Sequence, residues 1–522
     1  MKHDHISFIY YNIDQLILPL DLEVLIPEHH LARVVHEAVE QLDDSIFLPH
    51  YKGGGRSSYH PKMMLKILVH AYAEKIYSGR KIAKQLKENI YFMWLSGNQQ
   101  PDFRTINRFR SERMKPIIYE VFFSVVELLR QKGLVRLEDY YLDGTKIEAN
   151  ANRYSFVWIK AVKKYDEKLN EKYRKIAFDI ERVLEGELQQ ESLDLDEQLE
   201  QKPVTSKEIQ ETMKKVDEHL KKDPSNKTLK KAKKQLSEDL LPRKQKYEQQ
   251  RKIAQERNSF SKTDHDATFM RMKEDHMKNG QLKPGYNVQM GTEGQFIIGY
   301  SLHQRAGDTR CFIEHLEHVN QYISLPQNII ADSGYGSEEN YTYLEEQGKK
   351  AYIPYNTFDQ EQKRTWKKRI ERVENMEYDE EFDEFICANG QRFTFQYETK
   401  KESDHGYLSI KRRYRCDQCQ GCPFQSTCAK GKTYRTITIS LKNQIQRKEV
   451  KERLHSGDGK EKYRRRKIDV ESVYGQIKQN LDFRRFHLRG LSKTTVEWGL
   501  VCVAHNFKKW QKIRTLQQGE IR

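Results

Sequence analysis

The chain has 522 residues and carries 92 Lys and Arg against 76 Asp and Glu, a formal net charge of +16. That length exceeds one ordinary core and implies roughly two to four domains, and the basic balance points to a polyanionic partner. No apolar run is long enough to span a bilayer, Met1 to Tyr11 lacks the order of a signal peptide, and seven cysteines, four of them clustered, do not form a secreted disulfide framework. These features predict a protein of the reducing cytoplasm with no membrane partner.

Residues 1–135 read as a helical domain. Ser58-Tyr59-His60-Pro61-Lys62 opens an apolar repeat through Met63, Met64, Ile67, Leu68, Ala71 and Tyr72. A second helix is expected from Arg80 and a third from Thr105, after Pro101-Asp102. Short helices with a tight turn suit a helix-turn-helix, with Arg104, Asn107, Arg108 and Arg110 facing DNA. The alternative is an ordinary bundle with a solvated basic face.

Residues 136–154 switch to a strand pattern. Residues 155–262 turn helical and charged, with widely spaced Ile180, Val183, Leu184 and Leu188 and breaks at Pro203, Pro224 and Pro242. This predicts a coiled-coil-like insertion without chemistry of its own. Residues 263–354 return to strands: Gly285 to Met290, a turn at Thr292 to Gln295, Phe296 to Leu302, then helix, strand, helix and strand. The class is α/β, a mixed sheet with helices packed on it. Residues 355–440 read as an irregular insertion holding the clustered cysteines, and 441–515 as basic, then helical.

Two acidic residues share one context. Asp143 closes Tyr140-Tyr141-Leu142, and Asp332 closes Asn328-Ile329-Ile330-Ala331; each precedes a small residue. A carboxylate at a strand end beside a small neighbour admits a substrate or a hard dication, whereas a lone strand-end Asp more often caps a turn. Glu471 follows the basic run Arg464-Arg465-Arg466-Lys467 and precedes Lys478 on a helical pattern; its bland reading is a salt-bridged surface helix. Asp469 is its rival. The segment from Arg464 to Arg489, with Arg484 and Arg485, suits phosphate contact, while Phe483 and Phe486 read as core. Cys416, Cys419, Cys422 and Cys428 form C-x2-C-x2-C-x5-C, which suits a structural Zn²⁺ or remains as reduced thiols.

Leu142-Asp143-Gly144-Thr145-Lys146-Ile147-Glu148-Ala149, Ala331-Asp332-Ser333-Gly334-Tyr335 and Val470-Glu471-Ser472-Val473-Tyr474-Gly475-Gln476-Ile477-Lys478 resemble the three signatures of bacterial insertion-sequence transposases of the DDE type. His60 to Ser111 resembles their N-terminal helical domain. The resemblance implies a ribonuclease-H-like catalytic core with an N-terminal helical DNA-binding domain and a helical insertion. It implies two Mg²⁺ (or Mn²⁺) ions held by Asp143, Asp332 and Glu471, and Lys478 orienting a phosphate. Double-stranded DNA is the implied partner, as element terminal inverted repeats and target, bound by a homodimer or larger synaptic complex at the bacterial nucleoid. Relatives surround the Glu as Y-x2-R-x3-E-x6-K. Here Tyr463 and Arg466 keep the first spacing, but four residues separate Arg466 from Glu471; in strict register Arg464 and Lys467 occupy those positions. Rival readings are a metal-dependent nuclease on the same fold and a non-catalytic DNA-binding regulator derived from a transposase.

Overall fold

The computed structural model describes residues 21–51, 58–184, 204–272, 280–403, 405–517 and 519. Leu188 and Pro203 lie outside them. The chain divides into two compact units, Met1–Ile117 with Leu500–Arg522, and Ile118–Gly499.

The first unit is helical. Helix Pro61–Ala73 starts on a proline, whose fixed backbone angle suits a first turn, and is buried along its whole length. Helices Gly79–Glu88 and Phe103–Arg108 follow, the latter running into a π turn at Phe109–Arg113. A Cβ on Gly79 would stand 2.4 Å from Asn107 Oδ1, so the absent side chain is what lets these two helices close. Arg110 is buried and donates to the Tyr72 hydroxyl, the Tyr77 carbonyl and Asn107 Oδ1. This corrects the expectation that Asn107 and Arg110 face DNA: a guanidinium held by three acceptors inside a bundle is structural. Arg104 and Arg108 are exposed, Arg108 beside Glu112 at 3.3 Å.

The second unit is built on a mixed sheet. Its strands are β1 (Asp139–Glu148), β4 (Thr268–Arg271), β5 (Leu282–Glu293), β6 (Phe296–His303), β7 (Asn328–Ala331) and β8 (Lys350–Tyr352), and a separate ribbon pairs β2 (Phe156–Trp158) with β3 (Ser259–Ser261). The order is β4–β5–β1–β7–β8, with β6 also on β5. β5 runs antiparallel to β1, β4 and β6, whereas β1, β7 and β8 are mutually parallel. β5 and β6 are buried almost throughout, and the polar side chains they bury, Asn287, Gln289, Thr292 and Ser301 among them, are hydrogen-bonded. They turn at Gly294 and Gln295, both at positive φ, where the sequence predicted a hairpin. The Glu293 carboxylate accepts the backbone N–H groups of Arg136, Leu137, Glu138 and Asp139, fixing the entry of β1.

Two modules extend from this sheet. The β2–β3 ribbon is the base of a helical bundle of Ile159–Leu184, Ser206–Lys222, Lys227–Gln235 and Leu241–Ala254. It has its own core around Leu169, Ile176, Ile209, Val216 and Leu236. The second module replaces the expected irregular segment 355–440. It is an antiparallel sheet in the order β13–β12–β11–β10–β9, from β9 (Glu377–Asp379), β10 (Glu384–Ile386), β11 (Arg392–Glu402), β12 (Leu408–Cys416) and β13 (Arg435–Ile439). β11 is exposed at every position but Phe393. Among the described residues no helix is long and apolar enough to cross a membrane.

Candidate active site

The parallel register of β1 and β7 sets Asp139 opposite Asn328 and Leu142 opposite Ala331. Asp332 follows directly on the end of β7, whereas Asp143 lies within β1, which runs on to Glu148, so the strand-end expectation holds for Asp332 and not for Asp143, and the register makes the two residues neighbours across the pair. Asp332 caps the short turn Ser333–Tyr335, its Oδ1 accepting from Gly334 N at 2.9 Å. Asp143 Oδ1 accepts from Gly144 N at 2.8 Å.

Gly144 lies against a polar net of Tyr335, Gln289, Asn287 and Asp308, of which only Asp308 lies outside the segments the sequence picked out. Tyr335 donates to Gln289 Oε1 at 2.5 Å, and Gln289 Nε2 donates to Asn287 Oδ1 and Asp308 Oδ1. Asn287 Nδ2 also donates to Asp308 Oδ1, at 2.8 Å. Tyr335 is buried, and burial first, then the charges of Asp308, Asp143 and Asp332, push its phenol well above the usual range, so it stays a hydrogen-bond donor. Asp308 therefore brings a fourth carboxylate beside the pair. It stands between a strand and a helix with no apolar pattern to mark it, so only the fold reveals it.

The third carboxylate arrives on the helical arm Gly457–Asn480. Asp139, Tyr141 and Asp143 share one face of β1, by the two-residue period of a strand. Lys462 Nζ bonds both oxygens of Asp139, at 2.9 and 3.2 Å. Further along, the Tyr474 hydroxyl donates to the carbonyls of Asp143 at 2.8 Å and Val288 at 3.2 Å. Between these anchors Asp469 is buried; its Oδ1 accepts from Gln295 N and its carbonyl from Thr292 Oγ1. Asp469 thus clasps the β5–β6 turn, while Glu471 stands on the open side.

The spacing mismatch has a structural answer. Lys467–Glu471 form a π turn, and a second π turn spans Gln476–Asn480. In an α-helix, residues five apart diverge by roughly 140°. A π turn closes over five residues and returns them to one face. Arg466 Nη2 accordingly meets Glu471 Oε1 at 2.8 Å. The Arg466 guanidinium lies 5.8 Å from the Tyr463 ring, whose phenol is raised chiefly by burial. The side chain beside Glu471 is therefore Arg466, with Tyr463 against Arg466. The strict-register pair lies elsewhere: Arg464 is exposed and paired with Glu461, and Lys467 is exposed.

Of the remaining basic candidates, Lys478 is buried and its carbonyl accepts from Arg484 Nε. Arg485 donates to the carbonyls of Ala149 and Ala151. Phe483 and Phe486 are core, as the sequence suggested. Carboxylate oxygens of Asp143, Asp332 and Glu471 are the hard donors that Mg²⁺ or Mn²⁺ takes, and the side-chain-free Gly144 lets Gln289, Asp308 and Tyr335 close against β1 next to Asp143. Among the described residues no three His, Cys, Asp or Glu side chains stand in ligand geometry about one point, in keeping with Glu471 turned onto Arg466.

Comparison with known proteins places two stretches of the chain. Residues 386–511, which include Glu471, match the model of the transposase DDE domain, and residues 20–112 match that of a transposase domain (DUF772). The chain is also similar to probable transposases for insertion sequence element ISH11 from two strains of Halobacterium salinarum. Each is 25% identical over 138 residues, which is 26% of this chain and 39% of the relative. The resemblance to insertion-sequence transposases of the DDE type, carried first by the motifs, is thus shown in two separate stretches of the chain.

Proposed function

We propose that this chain is the DNA transposase of an insertion sequence, which binds the terminal inverted repeats of its element and cuts and rejoins phosphodiester bonds. The reaction centre is Asp143, Asp332 and Glu471 on a ribonuclease-H-like core. The observation that carries this reading is the register that makes Asp143 within β1 and Asp332 just beyond β7 neighbours, with Tyr474 hooking the Glu471 helix onto the Asp143 carbonyl. The sheet order supports it: β6, β5 and β1 antiparallel, then β7 and β8 parallel to β1.

Two Mg²⁺ or Mn²⁺ ions held by the three carboxylates would supply Lewis acidity to the attacking and leaving oxygens of an in-line displacement. Asp143, Asp332 and Glu471 are the residues that would hold the ions. Arg466, paired with Glu471, is placed to move to a phosphate oxygen when DNA arrives and release the carboxylate. Lys478 orients a phosphate near the scissile bond. Arg464, Lys467, Arg484 and Arg485, with Arg104 and Arg108 of the first unit, contribute phosphate contacts that add affinity without sequence choice. Joining two element ends to one target requires a dimer or larger synaptic assembly on nucleoid DNA.

The test is incubation of the full chain with supercoiled DNA carrying its element's ends and Mn²⁺, beside Asp332→Asn. End-specific nicks and joined products that vanish in the variant are expected. Cleavage without end specificity or joining would instead make it a nuclease. DNA binding with equal background in both proteins would leave a regulator and refute the catalytic reading.

A further inference from the structure

We propose that the sheet β9–β13 holds one zinc ion through thiolates, and that Cys387 joins three of the clustered cysteines Cys416, Cys419, Cys422 and Cys428 as its ligands. The sequence spacing suggests only the clustered four. Cys387 lies far upstream, in the turn after β10, where its N–H and carbonyl bond Gln391 O and Gly390 N at 2.9 and 2.8 Å. The antiparallel register of β10, β11 and β12 brings that turn to the end of the sheet where Cys416 closes β12. One small pocket is lined by Cys387, Cys416, Cys419, Cys422 and Cys428, five of the seven cysteines in the chain.

Three further observations favour a metal over a set of idle thiols. All five are unbridged, and Cys416 and Cys419 are buried. Second, Arg435 lines the same pocket. Its Nη2 bonds the Glu371 carbonyl, but its buried Nη1 has no hydrogen-bond partner. A buried guanidinium nitrogen left unpaired is costly; a zinc centre with four thiolates is net negative and would accept that N–H, as outer-shell donors do. Third, β9 and β10 are three residues each, and the core of this module is small, with Cys416 and Cys419 among its members. Small cores gain from a metal staple.

The sulfurs do not yet stand in ligand geometry, so binding would draw four of them to about 2.3 Å from the ion. The role is structural, because four protein ligands leave no open position.

The test uses the full chain, purified under reducing conditions without chelator and without DNA, so its outcome is independent of any transposase assay. Elemental analysis should give about one zinc per chain, released by a thiol-modifying reagent. Substitution by Co²⁺ should give the visible bands of a tetrahedral thiolate site. Cys387→Ser should lose them, and Cys387→His should restore binding. Arg435→Met should weaken zinc retention against a chelator roughly 10–100-fold. Cys502→Ser, outside the pocket, should leave it unchanged. A fully folded zinc-free protein, or Cys387→Ser retaining zinc as tightly as the parent, would overturn the proposal.

Discussion

Replacing Gly144 by Ala tests whether the polar net beside Asp143 is close-packed. The added Cβ would fall 2.5 Å from Gln289 Nε2, 2.6 Å from Asp308 Oδ1 and 2.9 Å from the Tyr335 hydroxyl. None of these atoms belongs to a flexible exposed tip: Gln289 and Tyr335 are buried and each is tied to the other. Overpacking costs about 1–3 kcal/mol, and parting one buried hydrogen-bonded pair costs about 1–3 kcal/mol more. A loss of about 2–6 kcal/mol is therefore expected. Gly475→Ala is the internal control, because nothing lies within 4 Å of its Cβ; removing a helical glycine should gain about 0.5–1 kcal/mol. Amide exchange of the β1 and β5 ladder reports the local free energy even where global unfolding is not two-state. Gly144→Ala exchanging no faster than Gly475→Ala would refute the packing argument. Under the proposed function, Gly144→Ala also displaces Asp143, so cleavage should fall while DNA affinity holds.

Deleting Ile468, which is 59% exposed, should convert the π turn to an α turn and set Arg466 four residues before Glu471, preserving their pair at a stability change of about 1 kcal/mol or less. A double-mutant cycle with Arg466→Gln and Glu471→Gln reads this, and coupling that disappears on deletion would contradict it. His70 is buried with neither ring nitrogen hydrogen-bonded, and burial, then His30 and Lys508, lowers its pKa to about 3. Below about pH 6.5 the unfolded chain takes up a proton that the native state refuses until about pH 3, so this group removes about 1.4 kcal/mol per pH unit as pH falls through that window. His70→Phe should flatten that part of the urea-stability profile, and an unchanged slope would count against it. Asp166 and Lys244 are each 2% exposed and 2.7 Å apart. Asp166→Ala leaves the ammonium buried and should cost about 3–5 kcal/mol, seen as proteolysis confined to the helical bundle; uniform proteolysis would deny that the bundle stands on its own core.

What was legible in the sequence follows from which signals are local. β6 and β7 are apolar runs and β5 alternates from Gly285 to Met290, and the structure places strands where these patterns stand. In β11 only Phe393, Phe395 and Tyr397 alternate, and the rest of β11 and most of β12 is Lys, Arg, Glu and other polar residues on exposed faces, so a ladder held by backbone hydrogen bonds and by Phe393 and Tyr414 carried a short signal that the reading of 355–440 as irregular passed over. Arg110 looked like a DNA contact because charge predicts exposure, and only the acceptors on Tyr72, Tyr77 and Asn107 make its burial favourable. Cys387 and Asp308 were invisible for another reason: each joins its cluster through strand register or a crossover, with no nearby residue of its own kind.

The Glu471 segment shows how a sequence can carry the right residues at the wrong count. An extra residue between Arg466 and Glu471 rotates an α-helix by roughly 100° and separates the two side chains. Both ends of the arm are fixed independently, Lys462 on Asp139 and Tyr474 on the Asp143 carbonyl, so the arm cannot turn as a whole to absorb the change. Asp469, held by Gln295 N and Thr292 Oγ1, fixes its middle as well. The extra residue must be taken up locally, and a π turn takes it up with the flanking helices left in place. Ile468 is exposed within that turn, which is where a residue without a packing role belongs. A spacing mismatch in a helical motif is therefore weak grounds for discarding its residues when tertiary anchors bracket the insertion. It predicts a π turn, and the side chain to assign is the one that keeps the face, Arg466, not the one that keeps the number.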